Sequence, residues 1–236
     1  MARKARVVCP GMPHHVTQRG NRRQQTFFCD DDYRHYRSLM RQWCGQCGLA
    51  VWAYCLMPNH VHLILVPQSE DGLRRGVGEV HRRYTQTINA RQQWTGHLWQ
   101  GRFGSVVMDE AHLMRAARYI ELNPVRAGLV AAPDDWPWSS AAAHVSGKPD
   151  TLAQSAWLTE QIAGWICSWR EFLLQPDPNQ ADLARELRSH ESTGRPLGDN
   201  AFIQKLESLL GRPLLPAKRG PKPKPNDETP TMLDGN

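Results

Sequence analysis

The chain has 236 residues, 40% of them hydrophobic, and it carries a net charge of +6. No apolar run approaches the roughly 20 residues that cross a membrane, and no signal-like stretch follows the basic start, so we expect a cytoplasmic protein without a membrane partner. Basic residues cluster at 18–23, 81–84 and 217–225, which favours a polyanionic partner such as nucleic acid.

Hydrophobic periodicity predicts a β-α-β-β-α-β order followed by a further helix. The predicted elements are a strand at 14–18, a helix at 31–48, strands at 49–57 and 60–66 joined at Pro58–Asn59, a helix at 73–91, a strand at 101–109 and a helix at 110–123 that Pro124 ends. This order predicts an α+β fold, a ferredoxin-like split βαβ arrangement with an antiparallel sheet and helices on one face.

The character of the sequence changes after residue 150. Amphipathic helical spacing recurs at 158–174 and 200–210, and Pro and Lys alternate from Pro216 onward. We therefore predict a main domain at 1–150, a helical extension at 151–215 and a basic tail at 216–236. The tail has too little apolar content to become ordered.

Two histidines stand at the start of the predicted strand at 60–66. Because side chains two apart along a strand share a face, His60 and His62 point the same way. Two imidazoles on one face suit a divalent cation. The H-x-H pattern is weak by itself, and a structural role for both rings stays open.

A second polar group lies in "RAARYIELNPVRAGLV", residues 115–130. Residues four apart on a helix are neighbours, so Tyr119 and Asn123 share one side, and Arg115 extends the same line. A surface tyrosine and an asparagine cap would explain the pair without chemistry. Beside two histidines, however, an amide oxygen would complete a cation site and a phenol would serve as a nucleophile at phosphorus. A covalent phosphotyrosine keeps the energy of the phosphodiester, which indicates strand transfer rather than hydrolysis.

Four blocks of the sequence, in order, closely resemble the REP-associated tyrosine transposases, single-tyrosine members of the HUH endonuclease superfamily in which U is a hydrophobic residue, here Val61. The blocks are "HHVTQRGNRRQQTFF", "CLMPNHVHLILVP", "GHLWQGRF" and "RYIELNPVRAGLV", and the resemblance covers about residues 9–140. It implies that 1–150 is a catalytic domain that cuts single-stranded DNA beside palindromic hairpins. The cut would leave a 5′-phosphotyrosine and a free 3′-hydroxyl.

The resemblance also implies the roles of the site residues. Tyr119 matches the nucleophile, and His60, His62 and Asn123 match the ligands of Mg²⁺ or Mn²⁺. Related transposases carry a glutamine where this chain has Asn123.

Single-strand binding needs a basic track, and we expect Trp99 to lie in the core rather than to stack on bases. The predicted DNA contacts are Arg19, Asn21, Arg22, Arg23, Gln100, Arg102, Arg115 and Arg126, with Lys218, Arg219, Lys222 and Lys224 in the tail. The tail either lies in a minor groove or acts as a nonspecific tether, and we favour the tether.

Several alternatives stay open. A catalytically inactive hairpin-binding protein of the same fold is the alternative function, and Tyr84 is the next candidate nucleophile. We expect a monomer associated with the bacterial nucleoid, with a tyrosine-swapped dimer as the alternative.

Overall fold

The computed structural model describes residues 6–154, 156–161, 168–176 and 180–215. The strands are β1 (His14–Arg19), β2 (Leu49–Met57), β3 (His60–Pro67) and β4 (Gly104–Val107). The helices are α1 (Asp30–Gln46), α2 (Gly72–Gln92), α3 (Glu110–Glu121), α4 (Asn123–Arg126), α5 (Ala141–Ser146), α6 (Ala156–Gln161), α7 (Trp169–Leu174), α8 (Gln180–Thr193) and α9 (Asn200–Leu210). In the described ranges, no helix combines the length and apolar character that a membrane span requires.

The four strands form one antiparallel sheet in the order β2-β3-β1-β4. β1 therefore lies between β3 and β4, as a split βαβ arrangement requires. The register pairs Thr17 with His62 and Arg19 with His60, so these four side chains share one face of the sheet. The predicted fold class is confirmed.

One face of the sheet packs against α1 and α2. Its core contains the inward residues of β3, namely Val61, Leu63 and Leu65, together with an aromatic group from the two helices and the segment before α1. Phe27, Tyr36 and Tyr84 are members of that group and are almost fully buried. This face is the ferredoxin-like sandwich of the prediction.

The opposite face is also covered, by α3 and by helices of the C-terminal extension. Ile64, Ala116 and Ile120 belong to this second core, with Leu183 and Leu187 from α8. The prediction named helices on one face, and α1 and α2 do share a face. The additional layer follows from β3 itself, because a continuous apolar run is buried on both sides.

Some element boundaries differ from the prediction. α3 ends at Glu121, two residues before the expected end, and α4 starts at Asn123 with Pro124 in its first turn, a position where proline needs no N–H partner. The predicted helix at 158–174 is described as α6 and α7, and residues 162–167 lie outside the described ranges. α8 was not predicted, because its sequence is mostly polar.

The C-terminal extension packs directly on the sheet. A side chain at Gly104 in β4 would meet the Thr17 hydroxyl at 3.0 Å and the Glu191 side chain at 3.4 Å, so glycine leaves room for α8. The carboxylate of Asp109 caps α3 by accepting from the backbone N–H of His112 at 2.9 Å and also accepts from the N–H of Asp199. The extension thus contacts both β4 and the start of α3.

Candidate active site

A polar cleft of about 450 Å³ opens between α3, α8 and the face of the sheet on which these two helices pack. Its lining residues are Thr17, Gln18, Arg19, His60, His62, Gln100, Arg102, Gly104, Tyr119, Ala184, Leu187, Arg188 and Glu191. Residues from five separate segments of the sequence, the last of them in α8, therefore meet in one place.

His60 and His62 lie side by side in this cleft, with ring centroids 5.0 Å apart. Nδ1 of His60 lies 2.6 Å from the side-chain oxygen of Asn59, and Nδ1 of His62 lies 3.0 Å from Nε2 of His15. On each ring, Nε2 is therefore the nitrogen available to a ligand. Outer partners of this kind are usual for histidines that bind metals.

Both rings are neutral at ordinary pH. Burial, assisted by the nearby positive charge of Arg19, lowers the pKa of His60 to about 4. Burial also lowers the pKa of His62 well below its usual value, and His15 and His60 lower it further. Neutral imidazoles keep the lone pair that a metal needs.

Tyr119 projects from α3 over the histidine pair. Its ring centroid lies 5.8 Å from that of His62, and the two rings are nearly perpendicular. The other four tyrosines of the chain, Tyr33, Tyr36, Tyr54 and Tyr84, are buried in the core on the α1/α2 face. Of all five tyrosines, each within the described ranges, Tyr119 is the one that lines the cleft.

Asn123, the first residue of α4, is not among the residues that line the cleft. Its side-chain oxygen accepts from Arg126 at 3.0 Å, and the same guanidinium lies 4.1 Å from the centre of the Tyr119 ring. The amide nitrogen of Asn123 is buried without a hydrogen-bond partner. The side chain is therefore near the site but engaged by Arg126.

The donor set allows a cation but does not surround one. Within the described ranges, no three His, Cys, Asp or Glu side chains gather in a way that could hold a metal. The two available imidazole nitrogens fit Mg²⁺ or Mn²⁺ only if oxygen ligands come from an amide, from water or from the substrate. The predicted amide ligand, Asn123, has its oxygen bonded to Arg126 and its nitrogen without a partner.

The predicted DNA contacts divide into three groups. Arg19, Gln100 and Arg102 line the cleft. The turn residues Asn21, Arg22 and Arg23 lie just beyond β1, and both arginines have left-handed backbone and exposed side chains. Arg115 and Arg126 are on α3 and α4 outside the lining, and Lys218, Arg219, Lys222 and Lys224 lie outside the described residues.

Two further positions near the cleft are Gly20 and Trp99. A side chain at Gly20 would lie 2.2 Å from the backbone oxygen of Gln24. The glycine therefore allows the backbone at the two ends of this turn to come close together. Trp99 is 5% exposed and packs on Tyr36, His81 and Tyr84, which places it in the core as expected.

Sequence reasoning missed four residues at or beside the cleft: His15, Thr17, Arg188 and Glu191. The strand period could have found the first two, because His15 and Thr17 share the face of the paired His62. Arg188 and Glu191 gave no comparable signal, because α8 reaches the cleft only through tertiary packing.

Glu121 anchors the end of the helix that carries Tyr119. Its fully buried carboxylate accepts from the Ser140 hydroxyl at 2.6 Å and the Trp169 indole N–H at 2.7 Å, and it lies 2.5 Å from Nδ1 of His144. These partners come from α5, α7 and the residue before α5. The network fixes α3 against the extension.

Comparison with known proteins gives a family match. Residues 10–123 match the family model Y1_Tnp, "Transposase IS200 like". A Haemophilus influenzae protein described as a REP-associated tyrosine transposase is 27% identical over 124 residues, which are 48% of this chain and 70% of that protein. The REP-associated tyrosine transposase of Escherichia coli K12 is 26% identical over 89 residues, 37% of this chain and 52% of that protein, so the chain spans about half of this second relative.

Among solved structures, the chain is similar to a REP-associated tyrosine transposase bound to a REP hairpin. The match has a TM-score of 0.54 and 23% identity, and it covers 64% of this chain and 90% of the other. At that identity the likeness shows the fold. The family match confirms the resemblance drawn from the four sequence blocks, and it ends at Asn123.

Proposed function

We propose that this chain, whose residues 10–123 match the IS200-like transposase model, nicks and rejoins single-stranded DNA beside palindromic hairpins through Tyr119. The observation that carries the proposal is the meeting of Tyr119 with His60 and His62 in one polar cleft. Fold and family alone do not establish chemistry, because a site rather than a fold performs a reaction.

His60 and His62 would hold one Mg²⁺ or Mn²⁺ through their Nε2 atoms, with Asn123 as the third protein ligand after release from Arg126. A bound cation would polarise the scissile phosphate as a Lewis acid. The neutral state of both histidines supports this assignment.

In the proposed step, the Tyr119 oxygen attacks the scissile phosphorus and forms a P–O bond. The bond from phosphorus to the 3′-oxygen breaks, and that oxygen leaves as a hydroxyl while the phenol loses its proton. The product is a 5′-phosphotyrosine. In the joining step, a second 3′-hydroxyl attacks this phosphorus and releases the Tyr119 hydroxyl, and no ATP is needed.

Arg126 would hold Tyr119 in position, and the arginines that line the cleft would bind the DNA backbone. The Arg126 guanidinium stacks on the Tyr119 ring and donates to the Tyr119 backbone oxygen at 2.6 Å, which limits the motion of the phenol. Arg19, Arg102 and Arg188 place positive charge along the cleft, where a phosphate backbone would lie. We propose the exposed turn at 21–23 as the continuation of that track.

The hairpin partner is proposed from the family and from the solved structure of a similar protein with a REP hairpin. We also propose that the chain works as a monomer with a basic tail that tethers DNA. The position of Tyr119 over the histidines of its own chain supports the monomer, since no exchange of α3 is required.

The test uses Mn²⁺ and labelled single-stranded oligonucleotides from palindromes that flank the gene. Wild-type protein should give a cut strand and a covalent adduct on a denaturing gel. Tyr119→Phe should give no adduct while hairpin affinity stays within several-fold, because only the nucleophilic oxygen is removed.

Tyr84→Phe is the matched control. It removes a phenol whose hydroxyl donates to the backbone oxygen of Thr26 at 2.7 Å in the core, which should cost about 1 kcal/mol of stability and leave the adduct intact. An adduct that persists in Tyr119→Phe contradicts the assignment of the nucleophile. A wild-type protein that binds hairpins but never cuts them is instead a hairpin-binding protein of the same fold.

A further inference from the structure

His15 is a fully buried histidine beside the proposed metal ligands. It lies in β1 diagonally across from His62, and the two rings are nearly parallel, with an interplanar angle of 4°. Nε2 of His15 and Nδ1 of His62 share a hydrogen bond of 3.0 Å. A buried polar side chain aimed at a neighbouring ring in this way determines which nitrogen of that ring carries the proton.

One of the two proton arrangements suits a cation site. If Nδ1 of His62 donates, Nε2 of His15 accepts, and the proton of His15 is then on its Nδ1. That Nδ1 lies 3.4 Å from a carboxylate oxygen of Glu191, where the interaction is one of charge rather than an aligned hydrogen bond. The reverse arrangement would point a lone pair of His15 at the carboxylate, so ionised Glu191 favours the first arrangement.

Glu191 is itself held in place. Burial raises the pKa of the Glu191 carboxyl to about 7, and this shift is opposed by a hydrogen bond from Thr17, which is paired with His62 across the sheet, and by the nearby charges of Arg19 and Arg188. The carboxyl group is therefore mostly ionised above pH 7. Gly104 leaves the space that admits this part of α8.

From this geometry we infer that His15, with Glu191 behind it, is a positioning residue that holds His62 in the tautomer whose Nε2 binds the cation. The inference rests on the cation site of the proposed function. It gives the C-terminal extension a part in that site, because Glu191 belongs to α8. Outer-sphere partners of metal-binding histidines typically contribute about 10- to 100-fold to metal affinity.

The test measures Mn²⁺ affinity of the full chain without DNA, from the EPR signal of free Mn²⁺. His15→Phe keeps a flat ring but loses the acceptor, and it should weaken Mn²⁺ binding about 10- to 100-fold. His15→Gln, whose amide oxygen can accept from Nδ1 of His62, should restore affinity to within several-fold of wild type.

The matched control is His14→Phe, because His14 is equally buried on the other face of β1, with its ring engaged by Met12 and Cys9. It should lower the melting temperature and leave Mn²⁺ affinity unchanged. Equal Mn²⁺ affinity in His15→Phe and wild type overturns the inference alone. A wild-type chain that binds no Mn²⁺ overturns the cation site as well.

A second measurement applies even if His15→Phe does not fold. Nitrogen NMR of the histidine rings in metal-free wild-type protein should show His62 protonated at Nδ1, and Glu191→Ala should reduce that preference and weaken Mn²⁺ binding several-fold. His62 protonated at Nε2 in the wild type overturns the inference, as does a Glu191→Ala protein identical to wild type in both readouts.

Discussion

The two faces of the sheet carry similar residue types in different roles. On the α1/α2 face, Tyr36 and Tyr84 are buried among aromatic rings, and their hydroxyls bond to His81 and to the Thr26 backbone. On the α3/α8 face, Tyr119 and the histidine pair line an open polar cleft. A tyrosine next to a histidine is therefore structural on one face and a candidate nucleophile on the other.

The difference lies in what surrounds each pair. Burial raises the pKa of Tyr36 well above its usual value, and its ring is surrounded by Phe27 and Tyr84, so no substrate reaches it. The cleft face instead carries arginines and two imidazole nitrogens that have no hydrogen-bond partner among the described residues. The three predictions that follow test this division between a stabilising face and a reactive face.

The largest expected effect on stability concerns Glu121, the buried anchor of the cleft face. Glu121→Ala should lower the free energy of unfolding by about 3–5 kcal/mol, because it leaves His144, Ser140 and Trp169 without their shared acceptor. Urea unfolding measures the loss. A loss below about 1 kcal/mol would show that the network does not anchor α3.

The next prediction compares two positions of β3, Leu63 and His60, that point to opposite faces of the sheet. Leu63→Ala creates a cavity in the α1/α2 core and should cost about 2–5 kcal/mol of stability, while the folded protein still forms the DNA adduct. His60→Ala should cost little stability, because the side chain is only half-buried, yet lower cleavage on the order of 100-fold or more.

Both variants are measured by thermal melting and by the adduct gel. The comparison between the faces breaks down if His60→Ala unfolds as readily as Leu63→Ala, or if it cleaves at the wild-type rate.

The smallest effect is a pH dependence shared by both faces. Burial lowers the pKa of His81 to about 3, below the value of 6.5 expected when unfolded, so stability is complete above pH 6.5 and is lost as the pH falls toward 3. At pH 5 this one group accounts for a loss on the order of 2 kcal/mol. His15 and His60, with pKa values lowered to about 3 and about 4, add to the loss from the cleft face.

His81→Gln should therefore lose less stability than wild type between pH 7.5 and pH 5, as measured by urea unfolding at each pH. An identical loss in both proteins would show that His81 does not contribute to the acid sensitivity.

Much of the fold follows from local sequence patterns. β2 begins and ends at the predicted residues, and β3 and α2 each differ from the prediction by one residue at most per end. Strand period also placed His60 and His62 on one face, and helix period placed Tyr119 and Asn123 on one side of their segment. These are properties of the nearest few residues, which sequence alone can express.

Whether a given residue is buried in the core or lines the cleft depends on contacts between distant segments. Tyr84 and Tyr119 are comparable in sequence context, and only packing buried the first and left the second in the cleft. α8, mostly polar, was not predicted, yet it brings Glu191 to within 3.4 Å of His15. The order of elements and the residues able to do chemistry can be predicted from the sequence, because periodicity and residue type are local. Which of those residues meet depends on how α3 and α8 dock on the second face of the sheet, and that docking is a property of the folded chain.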